Sequence, residues 1–461
     1  MTAVTEEHLG DAVSDLRARL EGVLALPGEA GYDRITPWNV TVPVRPRMVA
    51  FVASADDVST VMRFATQHGL RVAVQSTGHG ALPGVGAGTI LVHTGALSGC
   101  QVDARNRVAR VGAGVRWQQV FDAACPHGLA PLSGSAPGVG VAGFLTGAGI
   151  GPLVRTFGAS SDYVRAFEVV TGTGEILRVT PEQHPDLYWG VRGSKSTLGI
   201  VTSVEIELLP ITEFYGGALY FNGADAAAVL HEWARWGVGL PETVNTSIAL
   251  QQLPAVPGVP AVLAGRLTVA VRYTAVGDPG EAARLLAPMR AVATPVLDTV
   301  AQQPFAALGA VHADPVDPMP VHEGHALLRA LPAEAVDTLL AVAGSESGSV
   351  QTVVELRLLG GALAREPRHA SALCHRDAAY SMCLIGAPVG PVAEQVVAHS
   401  RAVVAAMAPW ATGGQFPNFA PEAGAERLRR CYDEDTLHWL GQLASRYDPV
   451  GILAVGQVAR L

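Results

Sequence analysis

Arg71-Val-Ala-Val-Gln-Ser-Thr-Gly-His-Gly80 is the stretch on which the reading of this chain turns. Arg71 to Gln75 is a short run rich in valine that suits a strand. Ser76 to Gly80 then turns away from its end in small residues. Consecutive backbone N–H groups in such a turn form a nest for an anion. His79 lies between two glycines, so no neighbouring side chain hides its ring. On residue chemistry alone, a single histidine of this kind is more often structural than functional.

A second glycine loop lies downstream. Gly138-Val-Gly-Val-Ala-Gly143 satisfies G-x-G-x-x-G, which marks a dinucleotide site only after a strand and at the start of a helix. Leu132 to Pro137 is no strand, and Thr146-Gly-Ala-Gly-Ile-Gly151 is expected to be no helix. A nicotinamide-binding Rossmann site is therefore disfavoured. A plain surface loop is the bland alternative. Against it stand Val139, Val141, Phe144, Leu145, Ile150 and Leu153, whose apolar character points to a buried loop facing a ligand. Residues 128–154 carry no charge and exceed the ~20 residues of a membrane span. Each interior glycine costs about 1 kcal/mol of helix stability, however, and each proline about 3 kcal/mol. Pro131, Pro137, Pro152 and the many glycines argue against a lipid helix.

Further out, residues 6–25 read as an amphipathic helix stopped by Pro27 and Gly28. Ser54 caps a helix running through Gln67, and 49–53, 89–93, 108–111, 166–170, 176–179 and 200–209 read as strands. From 211 to 411 come longer Ala/Leu/Arg helices, such as 223–238, 280–293 and 332–343, between strands such as 262–274, 350–358 and 380–385. From 412 the Gly/Pro/Asn texture returns. Mixed helices and strands of this kind argue α+β, with one domain split by an inserted one. The expected divisions are 1–209, 210–411 and 412–461.

The 461 residues are 49% hydrophobic and only 16% charged, with 51 glycines and 31 prolines. That composition excludes a disordered chain. The net charge is −9, and Lys195 is the only lysine, so the clustered basic face of a nucleic-acid binder is missing. The 5 cysteines are scattered, with no CxxC pair, which argues against zinc sites and disulfide frameworks. Glu6, Glu7, Asp11 and Asp15 near the start fit no secretory signal, so a cytoplasmic enzyme is expected.

Taken in order, the motifs resemble the vanillyl-alcohol oxidase / p-cresol methylhydroxylase superfamily of FAD-linked oxidases, in its berberine-bridge-enzyme-like branch. Arg71 to His79 resembles the strand and V-R-S-G-G-H turn whose histidine bonds to the flavin 8α-methyl carbon. Ser133 to Gly140 resembles G-x-C-P-T-V-G, and Gly143 to Gly151 the glycine run that follows. Val169 to Ile176, Pro185 to Gly193 and Gly199 to Thr202 resemble V-V-T-A-D-G-E, D-L-F-W-A-L-R-G and F-G-V-V-T. Leu359 to Leu363 and His375 to Tyr380 resemble landmarks of the substrate domain. Pro417-Asn-Phe419 and Arg446-Tyr-Asp-Pro449 resemble the closing N-Y and K-Y-D-P elements. The resemblance implies an α+β fold: a PCMH-type FAD-binding domain of two α+β subdomains, with an inserted α+β substrate domain of antiparallel sheet covered by helices. It implies FAD contacts from Gln75, Ser76, Thr77, Gly78, His79, Gly80, Ala81, Ser135, Gly138, Val139, Gly140, Gly143, Thr146, Ile200, Asn418 and Gln457.

Ala136 stands where doubly linked members have a cysteine, so attachment through His79 alone is expected. Gln75 replaces the usual arginine and Thr77 a glycine. Phe416 occupies the place of a tyrosine that serves as base in some carbohydrate oxidases. The implied reaction passes a hydride from a small alcohol, amine or phenol to flavin N5, and electrons then to oxygen. Val139 lies where small side chains leave oxygen a path. Glu355 and Arg357 alternate with apolar neighbours and share one strand face, as a substrate clamp or as a structural ion pair. Tyr380 is a candidate donor to flavin or substrate, or a core residue. His312, His322 and His325 lie in or beside a proline-rich stretch and are expected at the surface. A non-catalytic flavin-binding relic is the competing reading. The arginine-rich, lysine-poor composition fits a GC-rich bacterial source and secondary metabolism. Partners are expected to be a small substrate and oxygen, without nucleic acid or membrane.

Overall fold

The computed structural model describes residues 6–81, 83–195, 197–420 and 422–453. Three sheets organise them. The first joins Val23–Ala25, Met48–Phe51, Thr89–His93 and Arg71–Gln75, the last three parallel. The helices Glu6–Arg19 and Ala55–His68 cover it. Ser54 caps the second helix by accepting the Asp57 N–H at 3.2 Å, and Gly69 closes it at φ 64. A second sheet of five antiparallel strands, from Cys100–Asp103 to Ile200–Glu207, packs against Trp117–Ala124, Pro185–Val191 and Glu434–Tyr447 around the largest apolar core.

The third sheet has eight antiparallel strands between Glu213 and Gly386. Its order places Leu267–Ala275, Val244–Gln252, Val353–Leu358, Tyr380–Gly386 and His322–Leu328 side by side. Helices Ala226–Gly237, Pro279–Ala291, Ala333–Ala343 and Ala393–Ala406 cover one face. Val354, Leu356, Leu358, Met382, Leu384, Ala326 and Leu328 point into that apolar layer. Strand alternation therefore sends Glu355, Arg357, Ser381, Cys383, Glu323 and His325 to the other face.

That other face meets the glycine-rich part of the first half. Leu327, Leu359 and Phe416 pack with Ala148, Ile150 and Val154 in one small core. Arg155, itself buried, reinforces the seam: its guanidinium donates to the carbonyls of Val244, Leu240 and Leu359.

Local expectations shift in two places. The helix expected over 6–25 ends at Arg19, and Val23–Ala25 is a strand. A Cβ on Gly22 would lie 1.9 Å from the Phe51 carbonyl, so the chain breaks there to pair with Met48–Phe51. The strand expected over 262–274 begins only at Leu267. Within the glycine loop, Val141–Thr146 forms a short helix, its Val141, Phe144 and Leu145 buried on one side, and the run to Gly151, expected to be no helix, is irregular from Gly147 on. No described helix is long and apolar enough to cross a membrane.

Candidate functional site

The strand Arg71–Gln75 delivers the 76–80 loop to the edge of the glycine-rich segment. Gly78 has φ 75, and a Cβ there would sit 2.5 Å from Pro37 Cα, so only glycine allows this approach. The approach seats the His79 ring on Trp38, stacked at 4.7 Å and 13°. Thr77 Oγ1 holds His79 Nδ1 at 2.8 Å. Burial, with Arg116 and Lys195 adding positive charge nearby, lowers the imidazole to about 4. His79 is thus neutral at pH 7, and its Nε2 makes no hydrogen bond among the described residues.

The two loops face each other: a Cβ on Gly140 would come within 3.3 Å of Ser76 Oγ and 3.5 Å of Thr77 Cγ2. The Ser76 hydroxyl is buried and has no hydrogen-bond partner among the described residues. Gly143 is exposed although Ala142 and Phe144 beside it are buried, and nothing lies within 4 Å of where its Cβ would be. Gly138 is nearly as open. Thr146 Oγ1 donates to the Gly143 carbonyl at 3.3 Å, and the Ala81 N–H to the Gly78 carbonyl at 3.3 Å. Asn418 Nδ2 donates to the Phe144 carbonyl at 2.8 Å. Its Oδ1 accepts from Lys195 Nζ, which also donates to the Gly143 carbonyl at 2.9 Å. Burial, with Arg427 nearby, lowers the Lys195 amine to about 8.

Opposite lies the polar face of the eight-stranded sheet. Glu355 accepts from Arg272 Nη1 at 2.9 Å and Arg357 Nη2 at 3.3 Å, and His312 Nε2 stands 3.3 Å away. Burial pushes the Glu355 carboxyl up, but Arg357, Arg272 and His312 outweigh this and hold it well below the usual range. A small cavity beside the cluster is lined by Ser247, Arg272, His312 and Arg357 together with Gly151 and Pro152. His325 Nε2 meets Ser381 Oγ at 3.0 Å, and burial lowers this imidazole to about 3.

Several expected site residues stand elsewhere. Gln75 does not face the loop: its Nε2 donates to the Ile35 carbonyl at 2.8 Å on the far side. The Ile200 side chain lies in the core beside Val170. Tyr380 belongs to the helix-facing core, its ring 5.9 Å from Trp233, away from Glu355 and Arg357. His312 and His325 are buried rather than at the surface, and His322 is half-buried, because His312 packs against Glu355 and Arg357 and the other two lie on the strand His322–Leu328, where His325 meets Ser381. The Ser135 hydroxyl is engaged within the chain, donating to Asp314 Oδ2 at 2.6 Å. Val139 is half-buried against the largest core. Gln457 lies outside the described residues.

Residues 46–180 match the family described as FAD binding domain. (R)-6-Hydroxynicotine oxidase of Paenarthrobacter nicotinovorans is 31% identical over 191 residues, which are 41% of this chain and 42% of that protein. FAD-dependent monooxygenase FUP4 of Fusarium proliferatum (strain ET1) is 35% identical over 209 residues, 44% of this chain and 40% of that protein. The chain thus spans less than half the length of these curated relatives. Among solved structures, 6-hydroxy-D-nicotine oxidase from Arthrobacter nicotinovorans superposes with a TM-score of 0.82 at 23% identity, covering 94% of this chain and 96% of that one. BBE-like 1 of Physcomitrella patens gives 0.82 at 18% identity, covering 95% and 97%. This is the fold of the berberine-bridge-enzyme-like FAD-linked oxidases.

In an FAD-linked oxidase fold, the residues found here suit the cofactor. The unpartnered Ser76 hydroxyl, the open floor at Gly138 and Gly143, and the neutral imidazole of His79 offer a donor, a flat backbone surface and a nucleophile. Trp38, Lys195, Glu323, Arg272 and Arg116 were not foreseen as site residues. Lys195 carries a signal as the chain's single lysine, but composition uses it only to argue against a clustered basic face.

Proposed function

We propose that this protein is an FAD-dependent oxidase of a small alcohol, amine or phenol, with FAD joined through His79 alone. FAD supplies the redox chemistry, accepting hydride and passing electrons to oxygen; the chain supplies binding, orientation and electrostatics. The observation that carries this reading is His79: a neutral imidazole, braced by Trp38 and Thr77, with its other nitrogen free at the rim of an open glycine floor. Protonated, that nitrogen would lack the lone pair needed to attack the flavin methyl carbon. Ala136 leaves no thiol for a second attachment. Ser76, Thr77, Gly78, Gly80, Ala81, Ser135, Gly138, Val139, Gly140, Gly143, Thr146 and Asn418 are the proposed cradle, within an FAD domain of 1–209 and 412–461 that surrounds a substrate domain of 210–411. Glu355 and Arg357 serve as part of a fixed charged wall that orients polar substrate groups, since the carboxylate is already committed to arginine. We place the enzyme in bacterial secondary metabolism and in the cytoplasm, in line with its composition.

The test is direct. The purified protein should be yellow, acid precipitation should leave the colour in the pellet, and His79→Ala should move it to the supernatant. Colour released from the wild type would refute the covalent link. A peroxide screen starting from hydroxynicotine-type amines and extending to alcohols and phenols then separates an oxidase from a flavin-binding relic.

A further inference from the structure

Two glutamates sit on the face of the sheet that looks toward the cofactor loops, and they differ in kind. Glu355 is held by two arginines and a histidine. Glu323 makes no hydrogen bond or ion pair among the described residues. Its strand, His322–Leu328, fixes where it points. Gly324 abuts Ser400 of the covering helix, and Ala326 and Leu328 enter the helix-side core. Glu323, His325 and Leu327 therefore face the other way, and Leu327 touches the Ala148–Ile150 segment. Glu323 is only partly accessible, and its carboxyl lies within electrostatic reach of Lys195, whose amine donates to the Gly143 carbonyl of the glycine loop.

Resting on the oxidase reading above, we propose that Glu323 is the proton acceptor of the oxidation. The substrate's O–H or N–H proton passes to a Glu323 carboxylate oxygen while the neighbouring C–H bond breaks and its electron pair leaves as hydride to FAD. Oxygen then takes the two electrons and two protons and leaves as hydrogen peroxide. Glu355 is unsuited to the task, because a carboxylate stabilised by arginine is a poor base.

The surroundings of Glu323 tune it for this work. Burial raises its carboxyl to about 7, opposed by Lys195. Lys195 comes from the loop after helix Pro185–Val191, with Arg427 behind it. On its own strand His325 is neutral and His322 is lowered by burial. The adjoining strands bring Cys383, whose thiol burial raises, and the Glu355–Arg357 pair. A base works best with a pKa near the operating pH. Ionised Glu323 beside protonated Lys195 is then the active form, populated between about 7 and 8.

The experiment uses the FAD-loaded protein. Infrared difference spectra across pH should show a carboxyl C=O band that titrates near 7 and is missing in Glu323→Gln. With the best substrate of the peroxide screen, kcat/KM should rise with an acid limb near pH 7. In Glu323→Gln the limb disappears, kcat/KM drops about 10²–10⁴-fold, and the flavin stays bound. Glu323→Asp restores part of the rate together with the limb. A band titrating near 4.5, or a Glu323→Gln enzyme that keeps both rate and limb, overturns the proposal and leaves the oxidase reading intact. Failure to bind FAD, or to make peroxide from any substrate, overturns the oxidase reading instead, and the proposal with it. If Glu323→Gln does not fold, the wild-type infrared titration and Glu323→Asp decide.

Discussion

At the residue scale, the site depends on small groups that admit no substitute. Gly78 combines φ 75 with a Cβ position 2.5 Å from Pro37 Cα. Gly78→Ala should therefore cost on the order of 1–3 kcal/mol and unseat His79 from Trp38. Thermal unfolding and the fraction of covalently bound flavin check both effects. Arg272 is a second such residue. Arg272→Met removes a 2.9 Å partner from buried Glu355, and breaking a buried pair from one side costs about 3–5 kcal/mol. Arg357 and His312 remain, so the lower end is expected in denaturant titrations. The sign with pH follows from the lowered carboxyl. Glu355 contributes its full stability above the ordinary glutamate value of 4.5 and loses it as pH falls below that value.

At the scale of elements, the short helix Val141–Thr146 and the 414–420 segment lock together through one amide. A Cβ on Gly147 would lie 2.0 Å from Asn418 Oδ1. Gly147→Ala should push Asn418 off the Phe144 carbonyl and off Lys195, and so lower FAD occupancy with little change in secondary structure. Circular dichroism alongside flavin absorbance distinguishes the two. The strands of the eight-stranded sheet show the same economy. One period-2 alternation puts Val354, Leu356 and Leu358 under helices and Glu355 and Arg357 toward the site. Tyr380 falls on the helix side by that rule.

At the scale of the whole molecule, the two halves meet across a polar seam. Arg155 satisfies three buried carbonyls from the sheet side. Arg155→Ala leaves them without donors, and each unsatisfied buried group costs about 1–3 kcal/mol. A loss of 3 kcal/mol or more is expected, read as a lower unfolding midpoint. The molecule is also expected to weaken in mild acid. His325 is held neutral, with a pKa of about 3 when folded against an ordinary 6.5. The unfolded chain binds the extra proton first, so stability falls as pH drops below 6.5, by at most about 1.4 kcal/mol per pH unit for this group. His325→Gln should flatten that part of the stability curve.

The family resemblance singled out His79, whereas the residues by themselves determined the α+β class, the 71–80 strand and turn and the glycine floor. These are local: a valine run, small residues and glycine spacing constrain the backbone wherever they occur. Only the tertiary structure decided which polar groups meet. Glu323, Lys195 and Asn418 come from distant parts of the chain; Glu323 and Lys195 acquire their shifted protonation from burial, and Asn418 holds Lys195 against the Phe144–Gly143 backbone. Gln75 and Tyr380 carry suitable chemistry, yet the direction of a single side chain removes each from the site. Strand periodicity assigns residues to alternate faces, but which face looks toward the cofactor depends on what covers the other one.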